Sequence, residues 1–292
     1  MSKFTGIFPA LLTPFKDDGT INYQELSKLL EYCIDKGVKG FYVSGSSGEA
    51  FLLSYEERKE LYSFVASVVK GRCTLIGQVG CISTELSLGL AKHCEKEGYD
   101  AVSSVSPFYY KFSFDEIKKY YYTIVENTSL PMLIYNIPAL TGIGFTAEQF
   151  DDFLCDDRFI GVKFTASDFF GLERIKSAHP DKIIYNGYDE MMLCGLISGA
   201  DGGIGTTYNF MPEKFIKIYE NYNNGDIAKA RTLQSEANAI IDVLIKVGVM
   251  PGSKYLLSKL GIDMGNCRAP FKVLSDADRE LLDSVFPLIE TK

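Results

Sequence analysis

The chain has 292 residues, of which 46% are hydrophobic and 23% are charged, and this composition supplies enough apolar material for a large core. The formal net charge is −8 and no basic patch offsets it, so we expect neither nucleic acid nor a membrane surface as a partner. No apolar run reaches the roughly 20 residues of a membrane helix. The N-terminal residues lack an export-signal pattern, and seven widely spaced cysteines are typical of reduced thiols. We therefore expect a cytoplasmic protein.

The two histidines, His93 and His179, are too few for a metal site built on three histidine ligands. Neither lies in a motif with the spacing of metal ligands. We expect both to be packing or helix-surface residues, and we expect no metal site.

Short apolar runs alternate eight times with longer amphipathic segments, and runs with so little alternation are typical of strands buried on both faces. The runs lie at about 6–15, 38–45, 73–79, 100–106, 131–137, 159–164, 182–187 and 200–206. This pattern predicts a (β/α)8 TIM barrel over residues 1–225. Residues 226–292 predict a three-helix C-terminal extension that packs on the barrel as part of one structural domain. The rival fold, a doubly wound open sheet, would need a glycine-rich turn after the first strand, where Thr13-Pro14-Phe15 stands.

Several positions predict where helices begin and end. Ser54, Ser113 and Thr146 each precede a Glu or Gln by three residues, which is the capping-box pattern. Pro212 suits the first turn of a helix. Glycines that we expect to follow helix ends lie at positions 37, 71 and 98.

Polar residues follow the predicted strands at their C-terminal ends, where barrel enzymes hold their working groups. Lys163 ends the sixth apolar run, where loss of water would lower the pKa of its amine from about 10.4 and leave it able to attack a ketone. On position alone, a lysine that extends to solvent or pairs with a carboxylate fits equally well. Tyr135 ends the neighbouring strand and is either a proton shuttle in the same pocket or a core tyrosine.

Two glycine-rich turns follow other strands of the predicted barrel. The turn at 45–48 offers the hydroxyls of Ser46 and Ser47 and several main-chain N–H groups, a combination that suits a carboxylate but also occurs in ordinary turns. The stretch 202–207 suits either a phosphate or sugar hydroxyls. Neither turn decides the ligand when it is taken alone.

Together these motifs resemble the pyruvate-dependent class I aldolases that include dihydrodipicolinate synthase and N-acetylneuraminate lyase. The resemblance covers essentially the whole chain, from the segment GIFPALLTPF at 6–15 to the C-terminal helices. It implies that Lys163, in the segment GVKFT, forms a Schiff base with a 2-oxo acid. It also implies that Tyr135 transfers protons, that Ser46 and Ser47 bind the pyruvyl carboxylate, and that Ser47 assists the proton transfer.

Within the family, the sequence is most similar to the sialic acid lyases. Leu140 replaces an arginine that binds a substrate carboxylate in the dihydrodipicolinate synthases, so this site has lost a cation. A polyhydroxylated substrate needs several donors and acceptors. The resemblance implies that these come from Thr165, Gly187, Asp189, Glu190 and Thr206.

The resemblance also implies an assembly and a reaction. Most members are homotetramers, and Tyr109 falls on a tyrosine that reaches into a neighbouring subunit's site, although Tyr110 is close enough to leave the register open. The implied reaction is the reversible cleavage of N-acetylneuraminate to N-acetylmannosamine and pyruvate, without a cofactor. Two rival functions remain open, namely another pyruvate-dependent aldolase or synthase of the family, and a barrel that binds a ligand without catalysis.

Overall fold

Eight parallel strands form the centre of the molecule in a computed structural model, which describes residues 2–289. In the sheet the strands follow the order β1-β8-β7-β6-β5-β4-β3-β2. The ring closes between its first and last members, because the Leu11 main-chain N donates to Tyr42 O at 2.9 Å and the Lys39 N donates to Ile7 O at 3.1 Å. The strands are β1 (Gly6–Pro9), β2 (Gly40–Val43), β3 (Thr74–Gln78), β4 (Ala101–Val105), β5 (Met132–Asn136), β6 (Phe159–Phe164), β7 (Ile183–Asn186) and β8 (Gly202–Gly205). The predicted (β/α)8 barrel is confirmed.

Helices connect the strands and continue into the C-terminal part of the chain. They are α1 (Tyr23–Asp35), α2 (Tyr55–Val69), α3 (Thr84–Lys96), α4 (Phe114–Val125), α5 (Pro138–Thr141), α6 (Ala147–Leu154), α7 (Phe169–Ala178), α8 (Met192–Ile197), α9 (Pro212–Asn223), α10 (Ile227–Val247), α11 (Val249–Lys259) and α12 (Asp276–Val285). Capping boxes at Ser54, Ser113 and Thr146 begin α2, α4 and α6, as predicted. Pro212 begins α9.

Strand β1 is shorter than the first apolar run of the sequence predicted. The apolar run at 6–15 continues past Pro9, but the strand ends there. Ala10 and Leu11 still bond to the neighbouring strands, through Gly205 O and Tyr42 O, and the Leu12 main-chain N then donates to Asn209 Oδ1 at 3.1 Å. Leu11, Leu12 and Phe15 are buried in this segment, so apolar character alone did not mark the end of the strand.

Apolar side chains pack on both faces of the strands, in two layers. The larger layer lies between the strands and the outer helices. The smaller layer fills the barrel interior and consists of Phe8, Ala10, Tyr42, Ile76, Ala101, Val105, Leu133, Tyr135, Ile137, Tyr185 and Ile204. A filled interior leaves room for a ligand only at the mouth of the barrel.

The segment after α9 contributes α10, α11 and α12, and α10 packs against α8 and α9. The division of the chain at residue 226 stays a prediction. His93 lies in α3, with its Nε2 2.8 Å from Ser63 Oγ, and His179 directly follows α7, with its Nε2 2.7 Å from Asp151 Oδ1. In the described part of the chain, no helix is long and apolar enough to cross a membrane.

Candidate active site

A cavity of about 370 Å3 lies at the C-terminal ends of the strands. It gathers residues that lie at or directly after the ends of β2, β5, β6, β7 and β8, which are far apart in the sequence. Nine residues that the sequence singled out line it, namely Ser46, Ser47, Tyr135, Lys163, Thr165, Gly187, Asp189, Glu190 and Thr206. The barrel therefore brings together every predicted site residue except Tyr109.

Lys163 points into the barrel from β6 and is 4% exposed. Its Nζ lies 4.0 Å from the centroid of the Tyr135 ring and 4.2 Å from that of the Tyr42 ring. Within residues 2–289 no carboxylate forms an ion pair with this amine. Burial lowers the pKa of Lys163 to about 7, against the opposing effect of the Asp189 charge. A large share of the amine is therefore neutral and nucleophilic at neutral pH.

Tyr135 lies beside Lys163 because the two residues are register partners on β5 and β6. Burial raises the pKa of Tyr135 to about 12, and the hydroxyls of Ser46 and Thr165 beside the phenol oppose that rise. The phenol therefore carries its proton at neutral pH. Thr165 Oγ1 is itself buried without a hydrogen-bond partner in the described residues, so it is available to a ligand.

The turn after β2 presents unused donors to the cavity. The Gly48 and Glu49 N–H groups donate within the turn, to Gly45 O and Ser46 O, both at 3.1 Å. The main-chain N–H groups of Ser46 and Ser47 have no acceptor in the part of the chain that the structure describes. Two adjacent N–H groups of this kind form a site that suits an anion.

Contacts between strand ends fix the shape of the cavity wall. Ser47 Oγ and Thr206 Oγ1 are 2.6 Å apart and join the turns after β2 and β8. Gly187 follows β7, where a Cβ atom would lie 1.9 Å from Thr165 Oγ1. Glycine is therefore needed at this position to make room for the threonine side chain.

Asp189 and Glu190 follow β7 and differ in their surroundings. Asp189 is 7% exposed, and its Oδ2 accepts hydrogen bonds from the Thr207 main-chain N at 2.7 Å and from Thr207 Oγ1 at 2.6 Å. Burial raises the pKa of Asp189 to about 6, while the Thr207 bonds and the Lys163 charge oppose the rise. The Glu190 carboxylate is half-buried and bonds to no described residue. Asp189 is thus anchored, whereas Glu190 is available to a ligand.

Tyr109 and Tyr110 lie outside this cavity. Tyr109 is 83% exposed and Tyr110 is 62% exposed, and their rings contact each other at 5.1 Å between centroids. Leu140, which is 68% exposed, lies between the cavity and a second, mostly apolar cavity of about 640 Å3. That second cavity contains neither Lys163 nor Tyr135.

Three contributors to the site were not predicted. Tyr42 forms part of the floor under Lys163, yet in the sequence it is one apolar residue within a short buried strand. Thr207 anchors Asp189, and only its place in the stretch 202–207 hinted at a role. Helix α10 forms one wall through Ile241, Leu244 and Ile245. Nothing in the pattern of that helix connects it with the strand ends.

The chain is similar to known proteins in both sequence and structure. Residues 3–286 match the model of the dihydrodipicolinate synthetase family. The chain is 47% identical over 288 residues to the N-acetylneuraminate lyase of Rhizobium meliloti (strain 1021), covering 98% of this chain and 96% of that protein. It is similar to a structure from Clostridium difficile in complex with mannosamine, with a TM-score of 0.96 and 39% identity over 98% of this chain and 99% of that one. It is also similar to the N-acetylneuraminate lyase from Fusobacterium nucleatum complexed with pyruvate, with a TM-score of 0.94 and 39% identity over 99% and 98% of the two chains.

The fold and the site define a (β/α)8 barrel with a desolvated amine at its mouth. The family match, together with the near-complete coverage of the relatives, identifies the family. The chain belongs to the dihydrodipicolinate synthetase family, and the resemblance predicted from the sequence is confirmed.

Proposed function

We propose that this protein is an N-acetylneuraminate lyase, a carbon–carbon lyase that cleaves N-acetylneuraminate reversibly to N-acetylmannosamine and pyruvate. The observation that carries the proposal is the buried, unpaired amine of Lys163 beside the phenol of Tyr135. The relatives that bear this name, at 43–47% identity, support the same activity.

The first step is the formation of an imine. The neutral Lys163 amine attacks the C2 ketone of the open-chain substrate. The carbinolamine hydroxyl then takes up a proton and leaves as water, which gives the protonated Schiff base. The substrate carboxylate binds the free N–H groups and the hydroxyls of Ser46 and Ser47. The positive iminium then accepts the electrons of the bond that breaks, a role for which other aldolases use a metal ion.

Cleavage of the C3–C4 bond requires removal of the proton from the C4 hydroxyl. Because burial keeps the Tyr135 phenol protonated, it accepts this proton only while passing its own proton on. The substrate carboxylate and the Ser47 hydroxyl are the next groups in that relay. The electron pair moves into an enamine and N-acetylmannosamine leaves. Protonation of C3 and addition of water then release pyruvate and free Lys163.

The polar end of the cavity suits the hydroxylated part of the substrate. Glu190 and Asp189 accept hydrogen bonds from hydroxyl groups, while Thr165 and Thr206 both donate and accept. Gly187 keeps the wall clear for that chain of hydroxyls. Leu140 adds apolar surface and no cation, which disfavours a substrate with a second carboxylate at this point.

The assembly and the cellular setting belong to the same proposal. We infer a homotetramer in which Tyr109, or Tyr110 beside it, enters the site of a neighbouring subunit, and their high exposure supports this. A dilution series that follows mass and activity together tests it, because activity should fall as the assembly dissociates. The seven widely spaced cysteines favour a cytoplasmic protein, and the proposed activity would place it in sialic acid degradation.

The test of the activity is a pair of assays on the purified protein. One follows release of pyruvate from N-acetylneuraminate, and the other follows condensation of pyruvate with aspartate semialdehyde. We expect turnover in the first assay alone. Turnover in the second alone would overturn the proposed substrate, and failure in both would point to another oxo-acid substrate or to a barrel that only binds.

A further inference from the structure

Helix α10 contacts the site through two amide side chains on one face. Gln234 is 8% exposed, and its Nε2 donates to Asp189 O at 3.0 Å while its Oε1 accepts from the Leu193 N at 2.9 Å. Asn238 lies one turn later, and its Nδ2 donates to Glu190 O at 3.0 Å. Residues four apart on a helix project from the same side, so both amides reach the same turn.

The two amides also bind each other, and most of their polar atoms form hydrogen bonds. Gln234 Nε2 donates to Asn238 Oδ1 at 2.9 Å, so both hydrogens of that nitrogen and the Gln234 oxygen are all engaged. A buried amide is stable only when its polar atoms are satisfied in this way. Gln234 is buried and Asn238 is half-buried, and the pair forms a hydrogen-bonded link between α10 and the carbonyls of Asp189 and Glu190.

That turn carries Asp189 and Glu190, whose side chains face the cavity. Thr207 holds the Asp189 carboxylate from β8, whereas Gln234 and Asn238 hold the main chain from α10. The Glu190 carboxylate bonds to no described residue, so its direction depends on the position of the main chain. Bonds within the turn, such as Met191 N to Tyr188 O, shape that main chain, and Asn238 ties the Glu190 carbonyl to α10.

We propose that Gln234 and Asn238 are positioning residues that set the affinity for the hydroxylated aldehyde fragment and leave the binding of pyruvate unchanged. Their described partners are Asp189, Glu190 and Leu193, all after β7. None of these bonds reaches the turn after β2 or Tyr135. The inference rests on the proposed function, because it assigns the Asp189–Glu190 turn to the hydroxyl chain of N-acetylmannosamine.

The experiment uses Asn238→Leu and Asn238→Asp variants of the full-length protein. It compares binding of N-acetylmannosamine with binding of pyruvate, which we call the two half-sites. The first variant removes both bonds of the side chain, and the second keeps its size but cannot donate to Glu190 O. For each, the KM for N-acetylmannosamine is measured at saturating pyruvate. The concentration of pyruvate that half-saturates inactivation by borohydride is measured separately. We expect the KM to rise roughly tenfold, the effect of one lost hydrogen bond, and the pyruvate value to stay unchanged.

A matched control is Asn221→Leu in α9, where the same amide bonds only to its own helix, at 2.7 Å from Lys217 O. It should change neither quantity. Gln234→Met provides a second test if Asn238→Leu unfolds. Equal shifts in both half-sites, or no shift in the KM, would overturn the positioning role. Wild-type protein that is trapped by pyruvate but never uses N-acetylmannosamine would instead overturn the proposed function.

Discussion

Two buried lysines in this molecule have different surroundings. Lys254, in α11, is 1% exposed, and its Nζ lies 2.6 Å from Oε1 of the fully buried Glu49. Lys163 is 4% exposed and has aromatic rings beside it instead of a carboxylate partner. Burial lowers the pKa of both amines, but at Lys254 the charge of Glu49 opposes the effect directly. Burial alone therefore does not distinguish the two amines. The difference is that Glu49 contacts Lys254 directly, whereas Asp189 acts on Lys163 without forming an ion pair.

The two lysines also serve different parts of the same site. Glu49 ends the turn that contains Ser46 and Ser47, and its Oε2 accepts a hydrogen bond from the Arg268 N at 2.8 Å. The Lys254 pair thus ties the C-terminal helices to the turn that we assign to the substrate carboxylate. Lys163 lines the same cavity as this turn. Lys254 thus stabilises the shape of the site, whereas we propose that Lys163 carries out its chemistry.

The largest expected effect comes from Lys163→Met. We expect it to lower kcat/KM for N-acetylneuraminate by at least about 10⁴-fold, as the loss of a covalent nucleophile does elsewhere. Release of pyruvate from N-acetylneuraminate measures it. Lys254→Met is the control, because the folded fraction of that variant should still form a pyruvate adduct. Comparable activity in Lys163→Met and wild type would remove the distinction between the two lysines.

The same two substitutions should change stability in opposite directions. Lys254→Met leaves the buried Glu49 carboxylate unpaired, which we expect to cost about 3–5 kcal/mol of unfolding free energy. Lys163→Met removes a buried charge that forms no ion pair within residues 2–289 and should gain roughly 0.5–2 kcal/mol. Urea denaturation at pH 7 measures both. A destabilised Lys163→Met protein would indicate that this amine has a structural partner after all.

Tyr135→Phe separates proton transfer from imine formation. It keeps the ring beside Lys163 but removes the phenol, and we expect kcat to fall about 10²–10³-fold while the pyruvate adduct still forms. Steady-state kinetics and borohydride trapping give the two quantities. Tyr42→Phe is the matched comparison, since the Tyr42 ring also lies over Lys163 but its hydroxyl donates to Ser103 Oγ at 3.0 Å. Equal losses in both variants would count against a proton role for Tyr135.

The pH dependence tests the environment of Lys163. Its pKa of about 7 lies below the ordinary value, so the amine is mostly neutral above pH 7 and mostly protonated below it. The rate of trapping with pyruvate should therefore fall about tenfold for each pH unit below 7 and level off above it. The stability gained by Lys163→Met should be largest below pH 7, where the buried amine is charged. It should fade as pH rises from 7 towards 10.5, the ordinary pKa of the lysine in the unfolded chain. A midpoint near 10 in the trapping profile would show that the amine is not desolvated.

The smallest expected effect concerns substrate choice. Leu140→Arg adds a cation beside the cavity, and we expect it to lower kcat/KM for N-acetylneuraminate several-fold. The cation favours a second carboxylate over a hydroxylated chain. The measurement is the ratio of turnover of N-acetylneuraminate to condensation with aspartate semialdehyde. An unchanged ratio would show that position 140 does not discriminate.

The sequence predicted the barrel and most of the polar residues that line the cavity, because strand ends and helix caps are marked by local patterns. Eight apolar runs separated by capped helices define the strands, and each site residue taken from a strand end lies where that pattern puts it. The exact end of β1 was missed because buried apolar residues continue beyond Pro9, as far as Phe15, in a segment that is not part of the strand.

The remaining site contacts could not be predicted, because they join segments that no local pattern connects. Gln234 lies 45 residues from Asp189, and Lys254 lies more than 200 residues from Glu49. A buried amide or ion pair has the same appearance in sequence as an exposed one. The pairing becomes visible only when the C-terminal helices are packed on the barrel.

The central claim is that Lys163, among the buried lysines, carries the covalent chemistry. The most direct test is to treat the protein with pyruvate and borohydride and to locate the reduced adduct by peptide mass spectrometry. The account predicts one adduct, on Lys163, which disappears in Lys163→Met and persists in Lys254→Met. An adduct on another lysine, or none on the wild-type protein, would contradict it.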